Sequence, residues 1–138
     1  MRVMAIDYGD ARTGVAVSDI TRSLVGDTWV IHSKKPNDVA ESIVDEAKKR
    51  GVFCIVVGYP KNMDGSTGER AGKSEKLAEL LRALISDDVD IKFWDERMTT
   101  LSAHRILNET GTYGKKRKKS IDAVAASLIL ESYLNSLR

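Results

Sequence analysis

Acidic side chains occupy four positions at which a carboxylate is difficult to accommodate. Asp7 ends one apolar segment, Asp95 and Glu96 end a second, and Asp122 is the only charge in the apolar segment 121–130. An isolated buried charge is energetically expensive, so such carboxylates need a partner. Mg²⁺ or Mn²⁺ fits, because hard cations prefer carboxylate and water oxygens. Two such ions, about 4 Å apart, can clamp the attacking and leaving oxygens of a phosphoryl displacement.

Each of these acids also has a structural interpretation. Asp7 could accept hydrogen bonds from backbone amides of a turn, and Asp122 could stabilise the first turn of a helix. Asp95 and Glu96 point to opposite faces of a regular strand, so only one of them is expected to bind a metal ion. The other acid could pair with Arg97. The residues alone do not choose between Asp95 and Glu96.

A run of five cations precedes the segment that carries Asp122, although the net charge of the whole chain is only +2. A solvated charge run is the simplest explanation. The nearby carboxylate favours guidance of a nucleic-acid backbone, since cations that contact phosphates position a strand without reading its sequence. The candidate nucleic-acid contacts are therefore Lys115, Lys116, Arg117, Lys118 and Lys119, with Arg12, Lys61, Arg70 and Arg97 beyond the run.

Hydrophobic periodicity predicts the elements that position these side chains. Strands are expected at residues 2–9, 14–19, 24–31, 52–58 and 90–97, and helices at 36–49 and around 77–85. Thr99 or Thr100 could cap a short helix through residues 103–107, a flexible basic link should cover 111–119, and Ser120 should cap the last helix. The fold class is therefore α/β, with a mixed five-stranded sheet flanked by helices.

Composition limits the other possibilities. A length of 138 residues with 42% hydrophobic content suits a single domain over residues 1–138. No apolar segment reaches the roughly 20 residues of a membrane helix, and no signal-peptide pattern is present, so we expect a soluble cytoplasmic protein. The single cysteine, Cys54, excludes a disulfide within the chain.

The segment GERAGKS at residues 68–74 superficially resembles a phosphate-binding P-loop. That motif needs a glycine at position 67, where Thr67 stands, and it must join a strand directly to a helix. We therefore expect Lys73 and Ser74 to lie on the surface of a helix.

Four segments together resemble one protein family. They are DYGDARTG from Asp7, GYPKNMDG from Gly58, DERMTT from Asp95 and IDAVAA from Ile121. In this order they are similar to the YqgF family of RNase H-like nucleases, described as Holliday-junction resolvases and as nucleases that mature the 5′ end of pre-16S rRNA. The resemblance implies an RNase H-like fold, a carboxylate site on the sheet, a divalent metal ion and a nucleic-acid substrate.

The function expected from residues and resemblance is that of a divalent-metal-dependent endonuclease using Mg²⁺ or Mn²⁺. Asp7, Glu96 or Asp95, and Asp122 are the candidate ligands. Pre-rRNA is the favoured substrate, branched DNA is the alternative, and ribosomal precursor particles are a further candidate partner. The other classes considered are a non-catalytic nucleic-acid-binding or ribosome-binding module and an actin-like ATP-binding protein, which usually needs two such domains. The oligomeric state is left open.

Overall fold

The computed structural model describes residues 1–60, 68–96 and 114–137, with residues 114–122 described by their backbone. Five strands and three helices lie in this part of the chain. They are β1 (Arg2–Asp7), β2 (Arg12–Ser18), β3 (Val25–His32), α1 (Pro36–Arg50), β4 (Val52–Tyr59), α2 (Glu69–Leu84), β5 (Asp90–Asp95) and α3 (Gly114–Ser136). None of the described helices is both long and apolar enough to cross a membrane.

The strands form one mixed sheet in the order β3-β2-β1-β4-β5. β1, β2 and β3 pair antiparallel in sequence, whereas β4 runs parallel to both β1 and β5. This confirms the expected mixed five-stranded sheet. Because β1, β4 and β5 run in the same direction, their last residues meet at one end of the sheet, which we call the carboxyl edge.

Side-chain alternation along the strands gives the sheet two distinct faces. Met4, Ile6, Ile55 and Val57 point toward the face covered by α1 and α2, and all four are buried there. The intervening residues, which include Val3, Ala5, Cys54 and Val56, point to the opposite face and pack against α3. We call these the α1/α2 face and the α3 face. Since β1 and β4 are covered on both faces, their apolar runs lack the alternation of half-exposed strands.

The last helix differs from its predicted form. It begins at Gly114, so residues 114–119 are helical instead of forming a flexible link, and Ser120 lies inside the helix instead of capping it. Lysine and arginine are good helix formers, and no glycine or proline interrupts the segment after Gly114. The helix predicted through residues 103–107 and the candidate contacts Lys61 and Arg97 lie outside the described residues.

Candidate active site

Asp7 lies at the carboxyl edge on the α3 face of the sheet. It is the last residue of β1 and pairs with Gly14 of β2. Val3 and Ala5 pack against α3, so alternation directs Asp7, two residues further on, to the same face. The side chain is partly exposed, unlike the buried residues that precede it. Asp7 therefore presents a carboxylate where the apolar core ends.

Glu96 reaches the same place from β5. Its carboxylate lies over Gly58 of β4, close enough that a Cβ atom built on Gly58 would be 3.0 Å from Glu96 Oε1. The β1–β4 register pairs Ile6 with Val57, so the next residues, Asp7 and Gly58, follow on neighbouring strands, which in sheets are about 4.8 Å apart. Gly58 thus leaves a space, which we call the Gly58 seat, that holds the Glu96 carboxylate beside Asp7.

Helix α3 packs over the Gly58 seat. A Cβ atom on Gly58 would also lie 2.7 Å from Ile129 Cδ1. One turn later, the Tyr133 hydroxyl lies 3.9 Å from Cys54 Sγ. Because later helix residues meet earlier strand residues, α3 runs antiparallel to β4, and its earlier turns extend toward the carboxyl edge. Asp122 stands two helical turns before Ile129 on the same stripe of α3.

Trp94, near the end of β5, contacts α3 through its side chain. Its indole Nε1–H donates a hydrogen bond to Ser132 Oγ at 3.0 Å. Its ring also meets Tyr133 edge to face, with 5.5 Å between ring centroids. These contacts restrain the direction in which the chain leaves β5, and Glu96 follows two residues after Trp94.

Asp95 points to the other side of the sheet. It lines an open cavity of about 340 Å³ together with Tyr59, Glu75 and Phe93. Glu75 belongs to α2, and the Tyr59 hydroxyl donates a hydrogen bond to Glu75 Oε1 at 2.5 Å. Asp95 therefore lies on the α1/α2 face, and of the two adjacent acids only Glu96 shares the α3 face with Asp7.

Basic side chains approach the carboxyl edge on the α1/α2 face. Lys73 of α2 forms an ion pair with Asp10, with 2.6 Å between Nζ and Oδ1. The hydrogen bond from Lys73 lowers the pKa of Asp10, and the same bond raises the pKa of Lys73. Partial burial raises the pKa of the Tyr8 hydroxyl, and the charge of Asp10 adds to this effect. Arg70, a predicted nucleic-acid contact, lines a cavity with Tyr8, Asp10 and Lys73.

The other candidate binding residues lie on β2 and α3. Arg12 begins β2 and is exposed, and the five cations of the basic run occupy the first turns of α3. GERAGKS forms the start of α2, with Gly68 at the N-cap, so it is part of a helix and not a P-loop, and Lys73 is exposed as expected. The expectation that Ser74 also lies on the helix surface was wrong. Ser74 is buried with Ala71 and Leu77 on the face of α2 that packs on the core, and its hydroxyl donates a hydrogen bond to the Arg70 carbonyl oxygen. Among the side chains that the structure describes, no group of three or more His, Cys, Asp or Glu could hold a metal ion. Two of the three predicted ligands, Asp7 and Glu96, have side chains that the structure describes. The side chain of Asp122 lies outside the described part.

The sequence matches the RuvX family, described as Holliday junction resolvase, over residues 1–136. The chain belongs to the RuvX family. This confirms the resemblance drawn from the four motifs, because RuvX and YqgF denote one family. Relatives in the RuvX family carry the name "Putative pre-16S rRNA nuclease". One from Halothermothrix orenii is 46% identical over 135 residues, covering 98% of this chain and 95% of the relative. Another, from Acetivibrio thermocellus, is 40% identical over 140 residues, covering 99% and 96%.

Solved structures show the same fold as this RuvX-family chain at low sequence identity. Thermus thermophilus RuvC bound to a Holliday junction superposes with a TM-score of 0.61 at 14% identity, covering 99% of this chain and 96% of RuvC. The Fowlpox virus resolvase bound to Holliday junction DNA gives 0.67 at 12% identity, covering 99% of both chains. The fold is therefore the RNase H-like fold of the resolvases and nucleases, as the resemblance implied.

Two features of the site could not be predicted from the positions of acidic residues in the sequence. The Gly58 seat depends on the parallel register of β1 and β4, and the only sequence signal for it is that the apolar run of β4 ends in a glycine. The pairing of Lys73 with Asp10 joins residues 63 positions apart. Neither contact leaves a local pattern, because both arise from how the parallel strands bring distant segments together.

Proposed function

We propose that this RuvX-family chain is a divalent-metal-dependent endonuclease that cleaves phosphodiester bonds in structured nucleic acid. We further propose that its substrate is the 5′ end of pre-16S rRNA, which it processes in the cytoplasm. The observation that carries this proposal is the Glu96 carboxylate held in the Gly58 seat beside Asp7. Family membership supports the nuclease class, and the relatives' name supports the rRNA substrate.

The proposed ligands are Asp7, Glu96 and Asp122. The donor set fits Mg²⁺ or Mn²⁺, because these ions bind carboxylate oxygens and retain water and phosphate at other positions. Asp7 and Glu96 arrive from strand ends that share one face, and Asp122 stands on the helix that crosses that face. Bound metal would supply positive charge at the scissile phosphate and a water molecule of lowered pKa. Asp95 is excluded from this proposal because it lies on the α1/α2 face.

The protein's own residues perform the remaining tasks. Gly58, Ile129 and Trp94 fix the position of Glu96, so little reorganisation is needed when substrate arrives. The cations at residues 115–119, with Arg12 and Arg70, guide the phosphate backbone toward the carboxyl edge. Contacts of this kind position a strand without reading its sequence.

Branched DNA is the second candidate substrate. The specific observation in its favour is the family description, together with two resolvases of the same fold whose structures contain Holliday junctions. Fold alone does not decide the substrate. Both substrates therefore belong in the same assay.

The test compares cleavage of a pre-16S rRNA fragment and a four-way DNA junction in Mg²⁺, in Mn²⁺ and in chelator. We expect Asp7→Asn and Glu96→Gln each to reduce cleavage at least about 100-fold, since even residues that only support metal ligands contribute 10- to 100-fold. Asp95→Asn is the matched control, with the same change of charge one residue away on the other face. Full cleavage by Glu96→Gln would refute the proposed site, and binding without cleavage by the parent would favour a non-catalytic module.

A further inference from the structure

Two adjoining cavities lie on the α1/α2 face, on the opposite side of the sheet from the Asp7 side chain. One, of about 220 Å³, is lined by Tyr8, Asp10, Lys34, Pro36, Lys73, Lys76 and Leu77. The other, of about 190 Å³, is lined by Tyr8, Gly9, Asp10, Arg70 and Lys73. They share three residues, so we treat them as one feature, the lysine pocket. We propose that the lysine pocket binds a backbone phosphate of the nucleic acid that is cleaved at the Asp7 edge.

The charge of the lysine pocket favours an anion. Its cationic side chains are Lys34, Arg70, Lys73 and Lys76, and among the lining residues that the structure describes Asp10 is the only carboxylate. Glu69, in the first turn of α2, also acts on Lys73 but does not line either cavity. A concave surface with an excess of cations concentrates phosphate groups and accelerates their approach.

Asp10 occupies the position that a phosphate would take. Its carboxylate contacts Lys73 Nζ at 2.6 Å, although the Asp10 side chain is 79% exposed and that of Lys73 is 49% exposed. Ion pairs at such exposed positions contribute little stability, so exchange of one anion for another costs little. In the free protein, Asp10 therefore acts as an internal competitor for the phosphate.

The position of the pocket connects it to the proposed active site. Tyr8 follows Asp7 directly and packs on the α1/α2 face, while Asp7 points to the α3 face. The Tyr8–Arg12 turn is tight, because a Cβ atom on Gly9 would lie 2.2 Å from the Arg12 carbonyl oxygen. A strand lying across the carboxyl edge would thus meet both features. A cationic groove with an aromatic ring is also typical of sites that bind single-stranded nucleic acid.

This inference rests on the proposed function for its ligand, and its test measures binding without cleavage. A labelled single-stranded RNA and a duplex DNA of the same sequence are titrated with the full chain in chelator at several salt concentrations. Lys73→Gln should weaken binding and reduce the salt slope by about 0.7 for RNA and 0.9 for duplex per lost phosphate contact. Lys73→Arg should restore most of the affinity.

Asp10→Asn should act in the opposite direction. Removal of the competing carboxylate should tighten binding about two- to fivefold, the range expected for an exposed ion pair. Two matched controls carry the same charge changes on α1. Lys49→Gln lies about 20 Å along α1 from Pro36, and Asp45→Asn is likewise exposed on that helix. Melting curves of all variants show whether each is folded.

The proposal is overturned if Lys73→Gln binds like Lys49→Gln, or if Asp10→Asn gains no more affinity than Asp45→Asn. The proposal is also overturned if Lys73→Gln loses affinity for a free mononucleotide but keeps its affinity for RNA and duplex DNA, because the pocket would then be a nucleotide site. If the parent binds neither nucleic acid, the lysine pocket is wrong, and the metal-dependent cleavage assay on the rRNA fragment and the four-way junction decides the proposed function separately. If the parent binds and cleaves but these variants match their controls, only the lysine pocket is wrong.

Discussion

Gly58→Ala tests the geometry on which the proposed active site depends. The new methyl group would begin 2.7 Å from Ile129 Cδ1 and 3.0 Å from Glu96 Oε1, so at least one neighbour must move. Ile129 is buried in the core at 1% exposure and cannot turn outward to solvent. We therefore expect both a loss of stability and a displacement of the Glu96 carboxylate.

The size of each effect can be worked out separately. Overpacking a core costs about 1–3 kcal/mol, and alanine recovers about 0.5–1 kcal/mol of backbone entropy relative to glycine. The expected net loss is thus about 1 kcal/mol, or a fall of about 3 °C in Tm for a chain of this size. A displacement of about 1 Å in a reacting group can reduce the rate about 100-fold. We therefore expect a large fall in the cleavage rate with only a small fall in the free energy of unfolding.

A second substitution separates the two effects. Ile129→Val removes the Cδ1 methyl group that Gly58→Ala would meet, so the double variant should recover the stability lost to overpacking. Its activity should stay low, because the contact with Glu96 remains. Gly72→Ala is the control, since a Cβ atom there meets nothing within 4 Å. Thermal melts and metal-dependent cleavage of the same preparations give both readouts. A folded Gly58→Ala variant that cleaves at the parent rate would refute the role of the Gly58 seat.

Two further predictions concern metal binding and the buried thiol. Divalent metal at about 100 times its Kd should add about 2.7 kcal/mol to the free energy of unfolding, or roughly 8 °C in Tm, and this shift should shrink in Asp122→Asn. The Tm of each protein is measured with Mn²⁺ and with chelator. A metal-induced shift in Asp122→Asn equal to that of the parent would remove Asp122 from the site. Burial raises the pKa of the Cys54 thiol above its ordinary 9.0, so the folded state retains a proton that the unfolded chain releases. Stability should therefore fall as pH rises beyond about 9, and less steeply in Cys54→Ala. Denaturant titrations across that range check the slope, and native Cys54 should react with thiol reagents only as the chain unfolds.

The sheet was predictable because its strands follow simple rules. The uninterrupted apolar runs of β1 and β4 indicated strands covered on both faces, and both are buried there. The boundary of α3 was not predicted, since the run of lysines was interpreted as a link. Charge repulsion along such a run competes with the high helix propensity of each lysine, and a local pattern does not show which effect prevails.

The choice between Asp95 and Glu96 shows where sequence reasoning stopped. Alternation correctly predicted that the two acids face opposite sides, but not which side belongs to Asp7. That answer needs the register between β4 and β5 and the packing of Trp94 against α3, both of which join distant segments. Asp7 could be proposed as a ligand from sequence because its unusual feature, a carboxylate that ends an apolar strand, is local.

The carboxyl edge presents Asp7 and Glu96 on the α3 face and a group of cations around Asp10 on the α1/α2 face, and this arrangement bears on how a polyanion could be held there. Carboxylates on the α3 face repel a phosphate backbone until metal ions offset their charge. Under the proposed function, cations beside these carboxylates would therefore hold the strand. The proposed contacts are residues 115–119, in the first turns of α3, together with Lys34, Lys73 and Lys76 of the lysine pocket. Tyr8 lines the pocket and follows Asp7 in a tight turn, so this wall of the pocket is joined directly to the end of β1. The distance between a held phosphate and the scissile one would then be set by the sheet, so the position of the cut along a strand would follow from the fold even without contacts to the bases.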